Sequence, residues 1–445
     1  MEVRTKQLRV VFTVALQDAG EATRSLAIAK GLREYSPDGW SVKCAFLSHG
    51  SRFAPKILDA GFEVYDCSRR LGGVSFRDDL KTRFPELVGD PSIARQLIEG
   101  ERGALLELRP DLVIYGFWPM GAIARRMLGI PGVCFLPLPL HPDVLGSSLL
   151  KDVPDDLRPL THLPLPVRRF LVRCVPTSVK VQAPNLKQRN IRLAAQACGW
   201  SGASRNNLFD MLRADLTIVV DLQDFYVGET LPPDFRIVGP LFATADAAVE
   251  VAPAILRLFD PSNDKLKVLC TMGSSGTKEH FLEAVRALTS GIGTGWNSVI
   301  LTSPAICSLE EAKAHAGADS NSYITDAFVP ALLVNEMADV VVSHGGQGTV
   351  QTALACGTPI VGVAMQLEQQ VNLDNVAAKV AGIRIPIHRW KASIIQQAVR
   401  DVLENRSYRE NARRLQQSVR SVDGKKNSAE AIWQFVTNRL SLTPR

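Results

Sequence analysis

The stretch "VVVSHGGQGTVQTALACGTPIVGV" (340–363) has the pattern of a buried strand, a glycine-rich turn, a helix and a second buried strand. In open parallel α/β sheets, ligands bind beyond the carboxyl ends of the strands, which is where the turn at His344 lies. Its glycines permit positive φ and close backbone approach. A helix starting near Gly348 and Thr349 would direct free N–H groups at an anion. The turn therefore predicts a diphosphate-binding loop, the alternative being a turn that only packs helix against strand.

Short apolar runs alternate with amphipathic stretches on both sides of this turn, as in a parallel sheet covered by helices. Strands are predicted at 8–16, 42–48, 111–117, 132–138, 266–272, 297–303, 339–344 and 358–364, and helices at 23–35, 278–291 and 428–442. Because the pattern restarts near residue 266, we expect two doubly wound α/β units. The expected organisation is an N-terminal domain at 1–238, a linker at 239–256, a C-terminal domain at 257–425 and a closing helix at 426–445 that packs back on the N-terminal domain.

Composition indicates a globular chain of several domains, since 46% of its 445 residues are hydrophobic and 22% are charged. The net charge of +6 favours anionic small molecules and gives no argument for nucleic acid. Eight scattered cysteines without metal spacing indicate a reducing compartment. The N-terminus has no pattern of a signal peptide and no apolar run is long enough to span a bilayer, so we expect a cytoplasmic protein.

The segment 340–386 resembles the donor-binding signature of the GT-B glycosyltransferases of the UDP-glucuronosyl/UDP-glucosyltransferase type, which include the macrolide glycosyltransferases. The resemblance is carried by "HGGQGT" (344–349), "ALACGTP" (353–359), "EQQVN" (368–372) and "AGIRI" (381–385), with support from "RIVGPL" (236–241). It implies a GT-B fold: two Rossmann-like domains with doubly wound parallel sheets, an interdomain cleft and a C-terminal closing helix.

The resemblance also implies the residues that hold a nucleotide-sugar donor. The diphosphate would be bound by His344, Gly345, Gly346, Gly348 and Thr349 together with Ser274 and Ser275 of "MGSSGT" (272–277), the base by backbone near Val329, and the sugar hydroxyls by Glu368 and Gln369. A carboxylate and an amide suit a polyol, because together they offer several acceptors and two donors. One departure is Thr352, which stands where relatives often carry a glutamate that binds the ribose.

The acceptor half departs from the family at two positions together. Relatives use a histidine after the first strand as the base that takes the acceptor's proton, and an aspartate after a later strand orients it. This chain has Glu21 in "AGEATRSLAIAKGL" (19–32) and Gly116 in "RPDLVIYGFWPMGA" (109–122). Three interpretations stay open: Glu21 is the base, the acceptor arrives already ionised, or catalysis is lost. An acid in a first helical turn also complements the helix dipole without any catalytic role.

The acceptor itself would be bound by Arg24, Trp118, His141 and Asp143. His141 and Asp143 are also alternative candidates for the base. Between residues 157 and 209 there are nine Lys or Arg residues and no Asp or Glu. This stretch predicts an anionic acceptor, weak contact with an anionic membrane surface, or a solvated face.

The function predicted from these patterns is inverting transfer of a sugar from a UDP- or dTDP-sugar to a small-molecule acceptor in specialised metabolism. No cofactor beyond the nucleotide-sugar co-substrate is expected, and no metal, since no D-x-D motif is placed to supply one. Two alternatives are a partner protein that has kept donor binding without catalysis, and a nucleotide-sugar 2-epimerase of the same fold.

Overall fold

The computed structural model describes residues 6–441 except 15–18, 52, 73–75, 84, 146–148, 156, 184–185, 201, 203–206, 243–249, 274 and 319. The strands are β1 (Lys6–Phe12), β2 (Trp40–Ser48), β3 (Glu63–Asp66), β4 (Leu112–Tyr115), β5 (Gly132–Leu136), β6 (Leu216–Val219), β7 (Phe235–Ile237), β8 (Lys267–Thr271), β9 (Asn297–Leu301), β10 (Ser322–Thr325), β11 (Val340–Ser343), β12 (Ile360–Gly362) and β13 (Gly382–Arg384). The α-helices are α1 (Ala19–Glu34), α2 (Ala54–Asp59), α3 (Phe76–Asp79), α4 (Pro91–Leu108), α5 (Pro119–Met127), α6 (Pro142–Val144), α7 (Leu165–Cys174), α8 (Thr177–Lys180), α9 (Arg189–Ala197), α10 (Leu208–Met211), α11 (Pro253–Leu258), α12 (Lys278–Thr289), α13 (Leu309–Ala314), α14 (Ala331–Met337), α15 (Gln347–Ala355), α16 (Leu367–Ala378), α17 (Ala392–Glu404), α18 (Arg406–Arg420) and α19 (Gly424–Ser441). In the part of the chain so described, no helix has both the length and the apolar content needed to cross a membrane.

Unit 1 is built on a seven-stranded parallel sheet and comprises residues 1–147, 176–241 and 423–445. The strand order is β3-β2-β1-β4-β5-β6-β7, so the chain moves outward from β1 in one direction and then from β4 in the other. Val10 pairs with Leu112 and Phe12 with Ile114, which brings the carboxyl ends of β1 and β4 side by side. In doubly wound sheets this reversal point is where a ligand-binding crevice opens.

The last helix, α19, completes the core of unit 1. Its buried residues Ala429, Ile432, Trp433 and Val436 recur at the spacing of one helical face and pack in the same cluster as the apolar residues of α1. The indole N–H of Trp433 donates to the carbonyl oxygen of Leu32 at 3.1 Å. The helix therefore joins strand β1 and helix α1 in one core although it lies at the other end of the chain.

Unit 2 is built on a six-stranded parallel sheet and comprises residues 148–175 and 242–422. The strand order is β10-β9-β8-β11-β12-β13, with the reversal between β8 and β11. Val340 pairs with Val268 and Ser343 with Thr271, so the loops that follow β8 and β11 leave the sheet at adjacent points. Strands β8 and β11 are almost wholly apolar and buried, as a sheet covered on both faces requires.

A buried ionic cluster fastens the segment before α7 to the sheet and helices of unit 2. Arg384, at the end of β13, bonds Asp152 at 2.5 Å, Asp155 at 2.7 Å and Asp374 of α16 at 2.6 Å. Arg168 of α7 adds a second bond to Asp152 at 2.9 Å. Burial raises the pKa of Asp374. Burial alone would lower the pKa of Arg384, but the three carboxylates raise it, so the guanidinium stays charged.

The structure differs from the sequence prediction mainly in short strands and in the division of the chain. Each of the eight predicted strands has a counterpart, whereas the five strands β3, β6, β7, β10 and β13, of three or four residues each, are not predicted. Residues 148–175 fall within the predicted N-terminal domain but belong to unit 2, because their carboxylates pair with Arg384. The predicted linker overlaps α11, and the closing helix begins at Gly424.

Arg384→Met should lower the free energy of unfolding of unit 2 by about 3–5 kcal/mol, because it leaves buried carboxylates without their cation. Arg286→Ala is the matched control, since it breaks a 2.7 Å pair with Glu283 in which Arg286 is 51% exposed. That change should cost less than about 1 kcal/mol. Urea unfolding measures both values, and a loss for Arg384→Met no larger than the control's would contradict a stabilising role for the cluster.

Candidate active site

The turn after β11 is organised around the buried ring of His344, which is 4% exposed. A Cβ at Gly346 would lie 2.5 Å from its Nε2, and one at Gly273 would lie 2.6 Å from its Cε1. These two positions are glycines because the imidazole occupies the space that a side chain would fill. Gly345 has φ of +78°, a conformation that only glycine adopts without strain. The helix α15 then begins at Gln347, slightly earlier than predicted.

Burial lowers the pKa of His344 to about 4, so this imidazole is neutral at pH 7. A neutral imidazole supplies one N–H donor and one acceptor, not a positive charge. The sequence predicted a side-chain donor facing a diphosphate, and the lowered pKa makes this donor a neutral one. Positive potential at this turn therefore comes from the amino end of α15 rather than from His344.

Glu368 lies at the amino end of α15, where its carboxylate meets the helix. Its Oε1 accepts the backbone N–H of Gln347 at 3.1 Å and the side-chain amide of Asn372 at 2.6 Å. The same amide of Asn372 also donates to the carbonyl oxygen of Gly345 at 3.0 Å. Asn372 thus ties the glycine-rich turn to the carboxylate, and this carboxylate stabilises the positive end of the helix dipole.

Gln369 connects two loops of unit 2 and is 1% exposed. Its carbonyl oxygen accepts the N–H of Met365 at 2.9 Å, and its amide donates to the hydroxyl of Ser275 at 3.1 Å. The structure therefore brings Ser275, Gln369 and the His344 turn together. The amide of Gln369 is buried and joins the two loops, and its predicted contact with sugar hydroxyls stays a prediction. Ser274 lies outside the described residues.

The other predicted donor residues are spread along α15 and before α14. Gly348 is exposed, and a Cβ there would meet nothing within 4 Å. Thr349 is half-buried in the first turn of α15. The hydroxyl of Thr352 donates to the carbonyl oxygen of Gly348 at 2.8 Å, so its hydrogen is used inside the helix. Val329 is buried before α14, which packs against α15.

In unit 1, Glu21 and Gly116 meet at the reversal point between β1 and β4. Glu21, in the first turn of α1, is 5% exposed, and its Oε1 accepts the backbone N–H of Phe117 at 2.7 Å. A Cβ at Gly116 would lie 2.4 Å from that oxygen and 2.9 Å from the ring of Phe135. The glutamate carboxylate fills the volume into which a side chain at 116 would project, so the two unusual residues are structurally coupled.

Trp118, predicted to contact the acceptor, is instead part of the core of unit 1. Its side chain is fully buried, and the indole N–H donates to Glu101 Oε1. That oxygen also bonds His49 Nε2 at 3.2 Å. The aromatic ring and apolar neighbours such as Met120 account for this burial, because a large apolar surface gains most when removed from water. Arg24, on α1, is half-buried.

His141 and Asp143 form a helix cap. The backbone N–H of Asp143 donates to His141 Nδ1 at 3.3 Å, which makes His141 the N-cap of α6. The carboxylate of Asp143 lies 3.8 Å from Nδ1 and is 84% exposed. His141 thus has a local structural role at the start of α6, and its part as an alternative base stays a prediction.

The nine basic residues predicted to face a ligand or membrane do not share one environment. Arg168 pairs with Asp152 inside unit 2, and Lys180 is buried in unit 1. Arg158 and Arg173 are exposed, whereas Arg205 lies outside the described residues. Among the described residues, no group of His, Cys, Asp or Glu is arranged to hold a metal ion.

Three contributors to these sites were not predicted. Gly273 belongs to the quoted loop after β8, but its role depends on the ring of His344 packing against it. Asn372 is the last residue of the "EQQVN" motif, so the motif could have indicated it as a site residue. The backbone N–H of Phe117 has no side-chain signature, and only the fold places it beside Glu21.

Comparison with known proteins agrees with this architecture. Residues 310–428 match the family described as "Erythromycin biosynthesis protein CIII-like, C-terminal domain". A PGL/p-HBAD biosynthesis glycosyltransferase of Mycobacterium tuberculosis (strain ATCC 25177 / H37Ra) is 25% identical over 331 residues, covering 72% of this chain and 69% of the relative. The calicheamicin glycosyltransferase CalG4 is similar over 98% of this chain and 100% of its own, with TM-score 0.63 and 19% identity. The glycosyltransferase VinC, solved with dTDP, covers 97% and 100% with TM-score 0.61 and 16% identity. These structural similarities show the GT-B fold.

As the pH falls from 7 to 5, the buried His344 should lower the free energy of unfolding. An unfolded histidine has a pKa near 6.5 whereas His344 has a pKa of about 4, so the unfolded state binds more protons as pH falls from 6.5 towards 4. The free energy of unfolding should fall by about 2 kcal/mol by pH 5 from this group. His344→Gln should lose that part of the pH dependence in urea titrations.

His315→Gln is the control for this titration, because His315 is an exposed histidine of the same unit. This variant should keep the pH dependence of the unchanged protein. An identical pH dependence in His344→Gln and His315→Gln would refute the assignment.

Gly116→Ala should destabilise unit 1 by about 1–3 kcal/mol through overpacking against Glu21 and Phe135. In a Glu21→Ala background the same change should cost measurably less, because one of its two close contacts is gone. Gly103→Ala is the control, since Gly103 is exposed and a Cβ there meets nothing within 4 Å. Thermal unfolding of the four variants measures the coupling, and strictly additive effects of Gly116 and Glu21 would contradict it.

Proposed function

We propose that the chain, which is similar to glycosyltransferases in sequence and has the GT-B fold, is a macrolide-glycosyltransferase-like enzyme. It would move a sugar from a UDP- or dTDP-sugar to a small-molecule acceptor with inversion at the anomeric carbon. The single observation that carries this proposal is the glycine-rich turn at His344, which leads into the exposed amino end of α15. The dTDP bound to VinC supports a dTDP-linked donor as one of the two options.

The donor diphosphate would bind at the first turn of α15. Helical N–H groups at Gly348 and Thr349 have no partner within the helix, as holds for any helix start, and the dipole adds positive potential there. Open space beside Gly348 suits a ligand that approaches the backbone closely. His344 would donate one N–H, and Ser275 adds a hydroxyl. These donors would stabilise the charge that develops on the departing diphosphate.

Glu368 is suited to orient the transferred sugar. Its Oε1 is held by Gln347 and Asn372, which fixes the position of the carboxylate. A fixed carboxylate can accept hydrogen bonds from two sugar hydroxyls, and such bonds align the anomeric carbon for attack. Gln369 would act through Ser275, because its own amide is buried between the loops.

The acceptor oxygen would attack the anomeric carbon while the bond from that carbon to the diphosphate oxygen breaks. In this proposal the Glu21 carboxylate receives the acceptor's proton, and the electron pair of the broken bond leaves on the diphosphate. The N–H of Phe117 holds Glu21 Oε1 in place. The carboxylate stands at the reversal point, the place for which the family resemblance implies a histidine and an aspartate. An acceptor that is already ionised would need no base, and it is the alternative to this role of Glu21.

A reducing cytoplasm is the proposed setting. Cys44 and Cys270 are buried free thiols whose burial raises their pKa. Such thiols behave as small core residues, which suits a compartment where disulfides do not form.

Glu21→Gln should reduce turnover at least about tenfold while the dissociation constant for dTDP or UDP stays unchanged, because it removes proton acceptance and keeps the shape. Glu34→Gln, at the other end of the same helix and exposed, is the matched control and should keep full turnover. Donor hydrolysis and transfer to a panel of phenols and carboxylic acids measure turnover, and calorimetry measures binding. Unchanged turnover in Glu21→Gln would exclude it as the base, while no binding of either nucleotide by the unchanged protein would refute the proposed function.

A further inference from the structure

The segment from Leu157 to Val175 exposes an unusual number of large apolar side chains. Phe170 is 65% exposed, and the others are Leu157, Leu160, Leu163, Leu165, Val167 and Val175. Several large apolar side chains exposed along one short segment indicate an interaction surface, whereas single scattered ones need no explanation. The whole segment lies in unit 2, so its exposure is a property of that unit's surface.

Helix α7 is fastened by one face and presents the opposite face to solvent. Its buried residues are Arg168 and Val172, four positions apart on one side of the helix. Arg168 bonds Asp152 at 2.9 Å and the carbonyl oxygen of Thr161 at 2.9 Å. With 3.6 residues per turn, Phe170 lies opposite this inner face and Val167 lies beside Phe170. The outer face is therefore apolar and rigidly held.

The charge of this segment has a single sign. No Asp or Glu occurs between residues 157 and 209. Arg168 forms an ion pair with Asp152 inside the unit. Arg158 and Arg173 are exposed, and Arg169 is half-buried. In the helical projection Arg169 and Arg173 lie along one edge of the apolar face. The surface thus combines apolar side chains at its centre with cations at its border.

We propose that this α7 surface, defined by Val167, Phe170, Arg169 and Arg173, docks on the surface of an anionic lipid bilayer. Apolar side chains of an interfacial helix enter the boundary between headgroups and acyl chains, and arginines at its edge bind lipid phosphates. The charge complementarity selects anionic over neutral lipid. The inner anchors at Arg168 and Asp152 keep the helix formed before it meets the membrane.

Other occupants fit this surface less well. A second copy of the chain, related by a two-fold axis, would present the same α7 surface, whose charged members are both arginines, so it offers Arg169 and Arg173 no carboxylate. An acidic partner protein would pair with the arginines, whereas the outer face at Val167 and Phe170 needs an apolar environment. An anionic bilayer offers an apolar interior to Val167 and Phe170 and lipid phosphates to the two arginines.

Co-sedimentation with vesicles of phosphatidylcholine alone, and with added phosphatidylglycerol, tests the docking. We expect binding to the vesicles that contain phosphatidylglycerol and weakening by salt. Val167→Ser/Phe170→Ser should reduce the partition coefficient at least tenfold. Arg169→Gln/Arg173→Gln should abolish the preference for phosphatidylglycerol. Leu256→Ser is the matched control, because Leu256 is an exposed leucine on α11 of the same unit, and it should bind like the unchanged chain.

Circular dichroism confirms that each variant is folded before the comparison. Binding to neither vesicle, equal binding to both, or unchanged binding of Val167→Ser/Phe170→Ser would overturn the proposal. Light scattering of the vesicle-free protein supplies a separate outcome. A dimer that dissociates in Val167→Ser/Phe170→Ser would assign the surface to a second copy and would also overturn it.

Discussion

The candidate site at the His344 turn and the one at Glu21 both depend on one constraint of parallel sheets, the reversal of strand order. Where two neighbouring strands send their connections to opposite sides, the loops after them diverge and leave a gap that backbone N–H groups border. In unit 2 this gap lies beside β8 and β11, which lead into the Gly273 loop and the His344 turn. In unit 1 it lies beside β1 and β4, where Glu21 meets Phe117. The chemistry of both units is a consequence of what each gap contains.

At each reversal point a large polar side chain and a glycine determine one another. The ring of His344 requires glycine at 273 and 346, and the carboxylate of Glu21 requires glycine at 116. This coupling requires a small residue at 116 as long as residue 21 is a glutamate, since a Cβ at 116 would lie 2.4 Å from the carboxylate oxygen. The two positions therefore form one structural feature.

The sequence was sufficient for features that repeat with a period or carry a motif. The long apolar strands, the amphipathic helices and the turn at 344–349 are all of this kind, and the structure has them where the pattern indicated. Strands β7 and β13 are three residues long and each contains an arginine, so neither forms an apolar run like the one that predicted β12. The burial of Trp118 and Gln369 depends on partners distant in sequence, Glu101 and Ser275, which no local pattern reveals.

The division of the chain into two units also depends on contacts between residues distant in sequence. This has a consequence for engineering. Asp152 and Asp155 stand among residues that sequence order assigns to the first domain, yet they neutralise Arg384 in the second. A chimaera joined at residue 238 would separate these carboxylates from their guanidinium unless the donor sequence supplied the same pair. Unmatched charge would then remain buried beside α16, the helix that carries Glu368, and burying a charge without its partner is among the costliest defects a fold can carry. Exchange of acceptor specificity between relatives therefore has to leave residues 148–175 with the unit that they pack against.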